Sequence, residues 1–202
     1  MDRFDPGPQP SGRSPAPGRL GLVQAFANAF WDLDRDGADE WGDAREYGAW
    51  LAARGFGGGG TAPDEADRVR AIALREAIRD LARRHHEDPT PAPAGTPALA
   101  VLDEAAARAA LRISVAGGGA TPVHVPVGDG PDDALALVVA VVAEAMADGT
   151  WTRVKACPGP HCGWVFVDGS KNRSRQWCSM QICGNRVKGR EFRARRRSSR
   201  SR

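Results

Sequence analysis

The sequence predicts a mainly α protein in two parts. A helical N-terminal domain with one small β-hairpin comes first, and a compact finger of β-hairpin plus helix follows it. Three observations carry this expectation. Apolar residues recur at helical spacing in several segments between residues 20 and 146. Two short strand-like runs flank a glycine cluster, Gly117 to Gly119. All four cysteines fall within 27 residues, from Cys157 to Cys183.

Met1 to Arg19 is rich in Pro, Gly and Ser. Such a composition buries too little apolar surface to offset chain entropy, so a disordered tail is expected. It also lacks the cationic start and apolar core of a secretory signal. Residues 20–150 read as one domain. Leu20 to Leu33 predicts a helix, with Leu22, Val23, Phe26, Phe30 and Leu33 on its apolar face. Asp43 to Arg54 predicts a second, striped by Tyr47, Trp50 and Leu51 and stopped by Gly55. Gly57 to Gly60 is a flexible loop without the lysine of a phosphate cradle. Pro63 opens a third helix to about His86, with Val69, Ile72, Ile78 and Leu81 expected inward. Pro89 to Pro97 is a loop, and Ala98 to Ala110 a fourth helix. Arg112 to Val115 and Thr121 to Val127 form the hairpin. Asp132 or Asp133 then caps a fifth helix through Met146, closed by Asp148-Gly149. Trp31, Trp41 and Trp50 are expected in the core. His85 and His86 suit a helix C-terminus, and His124 has no visible partner. The acidic run from Asp32 to Asp43 resembles a calcium-binding EF-hand loop, but position twelve is Asp43 rather than glutamate and position eight is Asp39, so an acidic interhelical loop is expected.

Charge divides the chain at about residue 150. Residues 1–150 hold 14 arginines against 23 acids, a net −9. Residues 151–202 hold 14 Lys and Arg against Asp168 and Glu191, a net +12. A GC-rich genome explains a preference for arginine over lysine; it does not explain why the acids vanish. The split points the basic end toward a polyanion. No apolar run reaches the ~20 residues that cross a bilayer, so the expected setting is cytoplasmic and no membrane partner is expected. Thiols stay reduced there, and paired cysteines then favour metal over disulfide.

The cysteines follow the pattern C-x4-C, fifteen residues, C-x4-C: Cys157, Cys162, Cys178 and Cys183. Two close pairs supply the corners of a tetrahedral zinc site. Pro158, Gly159 and Pro160 favour a tight, ligand-bearing turn. A strand at Trp164 to Val167, a turn at Asp168-Gly169 and a return strand at Arg175 to Trp177 are expected between the pairs. Ser179 would cap a helix running through Val187 and Phe192 to Arg197, a treble-clef-like order of knuckle, hairpin and helix. A segment this short needs metal to fold. Four thiolates saturate one Zn2+, which makes the site structural. Two disulfides, an iron–sulfur cluster, or His161 as a competing ligand are the alternatives.

Cys162-Gly163-Trp164, Ser170 to Arg175, Trp177-Cys178-Ser179-Met180 and Cys183-Gly184-Asn185-Arg186 resemble the CGNR-type zinc finger over about residues 151–197. Bacterial proteins with this finger usually carry an N-terminal domain called ABATE and are regarded as stress-related transcription regulators. Leu22-Val23-Gln24-Ala25-Phe26-Ala27-Asn28 resembles the opening helix of that domain, and Tyr47 to Leu51 its second helix. The resemblance implies a regulator whose domain at 20–150 senses a small-molecule effector or mediates self-association as a homodimer.

The basic residues themselves suggest how the finger engages DNA. Arg186, Lys188, Arg190, Arg193, Arg195, Arg196 and Arg197 crowd the last predicted helix, and Arg186, Arg190, Arg193 and Arg197 share one face at 3.6 residues per turn. Val187 and Phe192 are expected to point toward the finger's core. Lys171, Asn172, Arg173 and Arg175 form a second basic loop, and Asn185, Gln176 and Gln181 are candidates for base contacts. Ser198 to Arg202 is expected to be a disordered basic tail. A DNA-binding regulator is therefore expected. An RNA-binding finger and a protein–protein adaptor with purely structural zinc are the alternatives. No Ser-His-Asp set, phosphate loop or catalytic cysteine is apparent, and no enzyme is expected. The charge split also permits the acidic domain to fold over the basic finger and mask it.

Overall fold

A computed structural model describes residues 2–10, 12–30, 39–58, 62–88, 90–115 and 121–200. Among them run six α-helices and two two-stranded antiparallel sheets, so the molecule is mainly helical, with a hairpin-and-helix finger at its C-terminal end. The helices of the N-terminal region are α1 (Leu20–Ala27), α2 (Ala44–Ala52), α3 (Glu65–Arg84), α4 (Pro97–Ala107) and α5 (Pro131–Ala147). Strands β1 (Leu111–Ser114) and β2 (Val123–Pro126) lie between α4 and α5, with Leu111 opposite Pro126 and Ser114 opposite Val123. The expected glycine turn at Gly117 to Gly119 lies outside the described residues, as do Trp31 and most of the EF-hand-like loop.

Local chemistry sets the helix starts. Asp43 accepts a hydrogen bond from the Glu46 N–H at 2.7 Å and caps α2. Asp64 and Asp67 form a reciprocal capping box at the start of α3. Pro97 and Pro131 occupy the first turns of α4 and α5, where a missing N–H costs nothing. Helix α1 ends at Ala27, six residues before the expected Leu33; the Asn28 N–H bonds back to the Gln24 carbonyl and the chain turns there.

Helix α5 carries the chain's most apolar run and is the centre of the core, packing against α1, α3, α4 and β2. No described helix is long and apolar enough to cross a membrane. Between α1, α2 and α3 sits a knot of edge-to-face aromatics. The Trp41 ring lies 5.0 Å from Phe26, 5.1 Å from Tyr47 and 5.2 Å from Trp50. Arg75 stacks on Trp41 and grips Asp39 with two bonds of 2.8 and 2.9 Å. Asp39 and Asp43, the two residues at which the acidic loop departs from the EF-hand pattern, are taken up by a salt bridge and a helix cap. The buried face of α3 follows Ala71, Leu74, Ile78, Leu81 and Ala82. Val69 falls on the opposite side of the helix and is exposed, which corrects its expected inward placement.

The finger is built from a 3-10 turn (Trp151–Arg153), strands β3 (Val154–Ala156) and β4 (Val165–Val167), a π-type turn (Met180–Gly184) and helix α6 (Asn185–Arg200). The partner of β4 is β3, upstream of the first cysteine pair, with Val154 opposite Val167 and Ala156 opposite Val165. The expected return strand at Arg175 to Trp177 does not form. Two of its carbonyls are drawn elsewhere: the buried Lys155 ammonium donates to that of Arg175, as well as to the Arg173 carbonyl and to Asp168 Oδ2 at 2.8 Å, and Arg175 Nε donates to that of Trp177. Helix α6 runs to Arg200, so the residues expected as a disordered tail continue the helix for most of their length.

Two cores are distinguishable, yet the larger crosses the expected domain boundary. It joins the helices to Trp151, Val154, Ala156 and Val165 of the finger. The smaller gathers the four cysteines with Trp164 and Phe166. The expected N-terminal tail is also corrected. It packs back on the body, with Ala16 buried and its N–H donated to Gln24 Oε1 at 2.7 Å, and with Arg3 lying over Phe56 and Arg19 over Phe4.

Candidate metal centre

Cys157 leaves β3 and Cys162 enters β4, so one hairpin presents the first pair. Its tip closes through the Cys157 N–H on the Trp164 carbonyl at 2.8 Å and the Cys162 N–H on the Gly159 carbonyl at 3.0 Å. His161 and Gly163 both adopt positive φ, 60° each, to turn the chain around the ligands. A Cβ on Gly159 would stand 3.3 Å from Cys183 Sγ and 3.4 Å from Cys157 Sγ, so a side chain there would press on the sulfurs and shift them by a few tenths of an ångström. Cys178 follows the loop, and the π-type turn carries Cys183.

The four buried thiols converge, with every Sγ within 4.8 Å of the others. Cys162 and Cys178 are 3.6 Å apart, and Cys178 and Cys183 are 3.7 Å apart. A tetrahedral ion with bonds of ~2.3 Å places its sulfur ligands ~3.8 Å from one another. The donor set and its spacing therefore fit one zinc ion, with no position left for a reacting water. No disulfide links them. Burial, reinforced by Cys162 and Cys178, pushes the Cys183 thiol up to about 12. A divalent cation is what lets such crowded sulfurs ionise together.

Arg13, from the segment before α1, reaches this cluster. Its Nε donates to Cys178 Sγ at 3.4 Å while its guanidinium lies 4.3 Å over the Trp164 ring. The contact was not legible in the sequence, where Arg13 is one arginine among many in a Pro-rich stretch.

The N-terminal domain holds the finger's backbone with polar side chains. Asn28 donates to the Val165 carbonyl at 2.9 Å and accepts from its N–H at 2.8 Å. Gln24 adds a bond to the same carbonyl at 3.2 Å. Arg79 is wholly buried and donates to the carbonyls of Gly163, Ala27 and Phe30, the last two at 2.6 and 2.7 Å. His85 Nδ1 and His86 Nε2 sit 2.7 and 2.8 Å from the Val154 and Ala156 carbonyls. A carbonyl only accepts, so each ring nitrogen there carries its proton. The one signal for this in the sequence is Gln24 and Asn28, two amides four residues apart on an otherwise apolar helix. The histidines stand at the end of α3, as expected, and from there they donate to β3.

The basic residues divide into two groups. Arg175 is turned inward; its guanidinium bonds the Trp177 and Cys178 carbonyls and lies 5.1 Å over Phe166. Arg173 uses one nitrogen on Thr152 Oγ1 at 3.1 Å but stays exposed, as does Lys171. On α6 the side chains of Asn185, Arg186, Lys188, Arg190, Arg193 and Arg196 are exposed. Arg195 and Arg197 lie on the same helix. Phe192 is 55% exposed, with Arg196 over its ring, so it does not enter the finger's core; Val187 is half-buried. Among the described residues the acidic domain does not cover these cations, which are exposed, so the masking that the charge split permits is not seen there.

Residues 20–149 match the ABATE family, described as "Putative stress-induced transcription regulator", and residues 153–196 match the CGNR zinc finger. No curated protein shows a significant match to the chain.

Proposed function

The chain belongs to the ABATE family and carries a CGNR zinc finger behind that domain, and on this premise we propose that it is a transcription regulator that binds duplex DNA through α6. In this proposal Cys157, Cys162, Cys178 and Cys183 hold one structural zinc ion. The observation that carries the proposal is the exposed cationic side of α6, set directly behind the π-type turn that bears Cys183. Zinc fixes that turn, and the turn fixes the direction in which the helix leaves the body. Arg186, Arg190 and Arg193 then meet phosphates, with counterion release supplying most of the affinity. Lys171 and Arg173 supply a second contact, while Arg175 braces the finger from within. The helical domain acts as the sensing or self-association part.

Fluorescence anisotropy of duplex DNA tests this. The log–log slope of affinity against salt is expected near −0.9 per phosphate, with about four to seven phosphates contacted. The double variant Arg190→Glu, Arg193→Glu should weaken binding while zinc content stays at one per chain. A flat salt response, or unchanged affinity in the variant, overturns the proposal. Tighter binding to structured RNA than to duplex DNA would favour the RNA-binding alternative.

A further inference from the structure

The molecule contains a buried guanidinium whose donors are almost unused. Arg54, just beyond α2, is 7% exposed. Among the described residues the one hydrogen bond of its guanidinium is a long one of 3.4 Å to the Trp50 carbonyl, and its Nε has no partner. It lies 3.8 Å over the Trp50 ring. Glu40 and Asp5 attract it through space, yet among the described residues no carboxylate comes within ion-pair distance. Desolvating an arginine this far is costly unless its N–H groups find acceptors.

Arg54 lines a cavity of about 290 Å³ between the N-terminal segment, α1 and the finger. Pro6, Pro8 and Trp164 give it apolar walls, and Glu40 stands at its rim. Asn28 also lines it, but its amide is committed to Val165. The cavity thus offers one buried cation, one rim carboxylate apart from it, and apolar sides. Burial pushes the Glu40 carboxyl up, with the Arg54 charge opposing. A ligand bringing both opposite charges would relieve both groups at once.

We propose that this cavity binds a small zwitterion of the α-amino-acid class, its carboxylate on Arg54, its ammonium on Glu40 and its apolar side chain against the prolines and Trp164. The proposal deepens the sensing role given above to the helical domain and rests on it. Binding is nevertheless measured without DNA, so failure here leaves the DNA result untouched. Occupancy would bear on the finger, because Trp164 belongs to both the cavity and the cysteine core and Arg13 lies against it.

Isothermal titration of the full-length, zinc-loaded protein with L-leucine and L-phenylalanine tests this. For phenylalanine, 3-phenylpropionate removes the amine and phenethylamine removes the carboxylate. Each analogue is expected to bind at least about tenfold more weakly, the loss of one charge-assisted contact. Arg54→Gln should abolish the preference for the carboxylate, and Glu40→Gln the preference for the amine. Heat release from neither amino acid, or equal binding of the analogues by the wild-type protein, overturns the proposal; that comparison needs no variant to fold.

Discussion

Arg13 is a single residue with consequences at the metal. A zinc ion with four thiolates carries a net charge of −2, and a guanidinium on Cys178 Sγ offsets part of it. Partners that hydrogen-bond to metal ligands commonly change affinity ~10–100-fold when removed. Arg13→Ala should therefore speed zinc loss to a chromogenic chelator by roughly tenfold or more. Arg13→Lys keeps the charge but loses the flat stacking on Trp164, and should fall between. Equal release rates for all three would show that Arg13 only covers the cluster.

Asp168 is the other decisive residue. It is fully buried, pairs with Lys155, and accepts from the Ser170 hydroxyl and the backbone of Ser170 and Arg175. Burial alone would raise its pKa, but the Lys155 ammonium and the Ser170 contacts outweigh it and hold the carboxyl at about 2. A carboxylate held below its unfolded value of ~3.9 stabilises above that pH, and the contribution fades as pH falls toward 2. Asp168→Asn strands a buried ammonium and should cost about 3–5 kcal/mol near neutrality. The gap in unfolding midpoint between wild type and variant should narrow between pH 5 and pH 3. A gap independent of pH would mean that the pair is not what stabilises the loop.

At the scale of elements, α3 docks on β3 through His85 and His86. Burial depresses both rings below the ordinary histidine value, with the β3 carbonyls opposing. The unfolded chain then takes up protons first as pH falls below ~6.5, so stability drops in that range. Intrinsic amide exchange slows from pH 7 to pH 5; exchange in β3 and β4 should slow by less than that, leaving an excess that reports lost protection. His85→Gln with His86→Gln should remove the excess, and an excess that survives would place its cause elsewhere. The elements themselves were largely legible in the sequence. Helical periodicity located α2, α3 and α5, and the C-x4-C pairs located the metal cluster without any knowledge of the fold. The return strand lies upstream of the cysteines, at β3, while Lys155 and Arg175 take up carbonyls of the segment where the sequence suggests it. The docking surface left no periodic mark, since amides, imidazoles and a guanidinium bind distant backbone through side chains scattered across α1 and α3.

For the whole molecule, those contacts make finger and helices one body. Val154, Ala156 and Val165 are buried in the main core, and Gln24, Asn28, Arg79, His85 and His86 satisfy the finger's backbone. A fragment of residues 151–202 would expose that apolar face and leave those backbone groups to water. Zinc should still be bound, but with an affinity lower than in the intact chain, and amide spectra should show β3 and β4 loosened. A fragment with full-length affinity and protection would make the two halves independent. The N-terminal tail belongs to this same scale: composition alone forecasts disorder for it, because composition is blind to a groove waiting elsewhere on the molecule.

Base composition can fill a protein with arginine codons, and most of the 25 here could drift to lysine with little effect on charge. Arg79 is held to a stricter standard. Its planar head forks to carbonyls at the end of α1 and at the finger's knuckle, in a space closed to water. An ammonium gathers its donors on one nitrogen and cannot span that fork. Mutational bias and geometry thus leave the same letter in the sequence for different reasons, and only the three-dimensional setting separates an interchangeable arginine from an irreplaceable one.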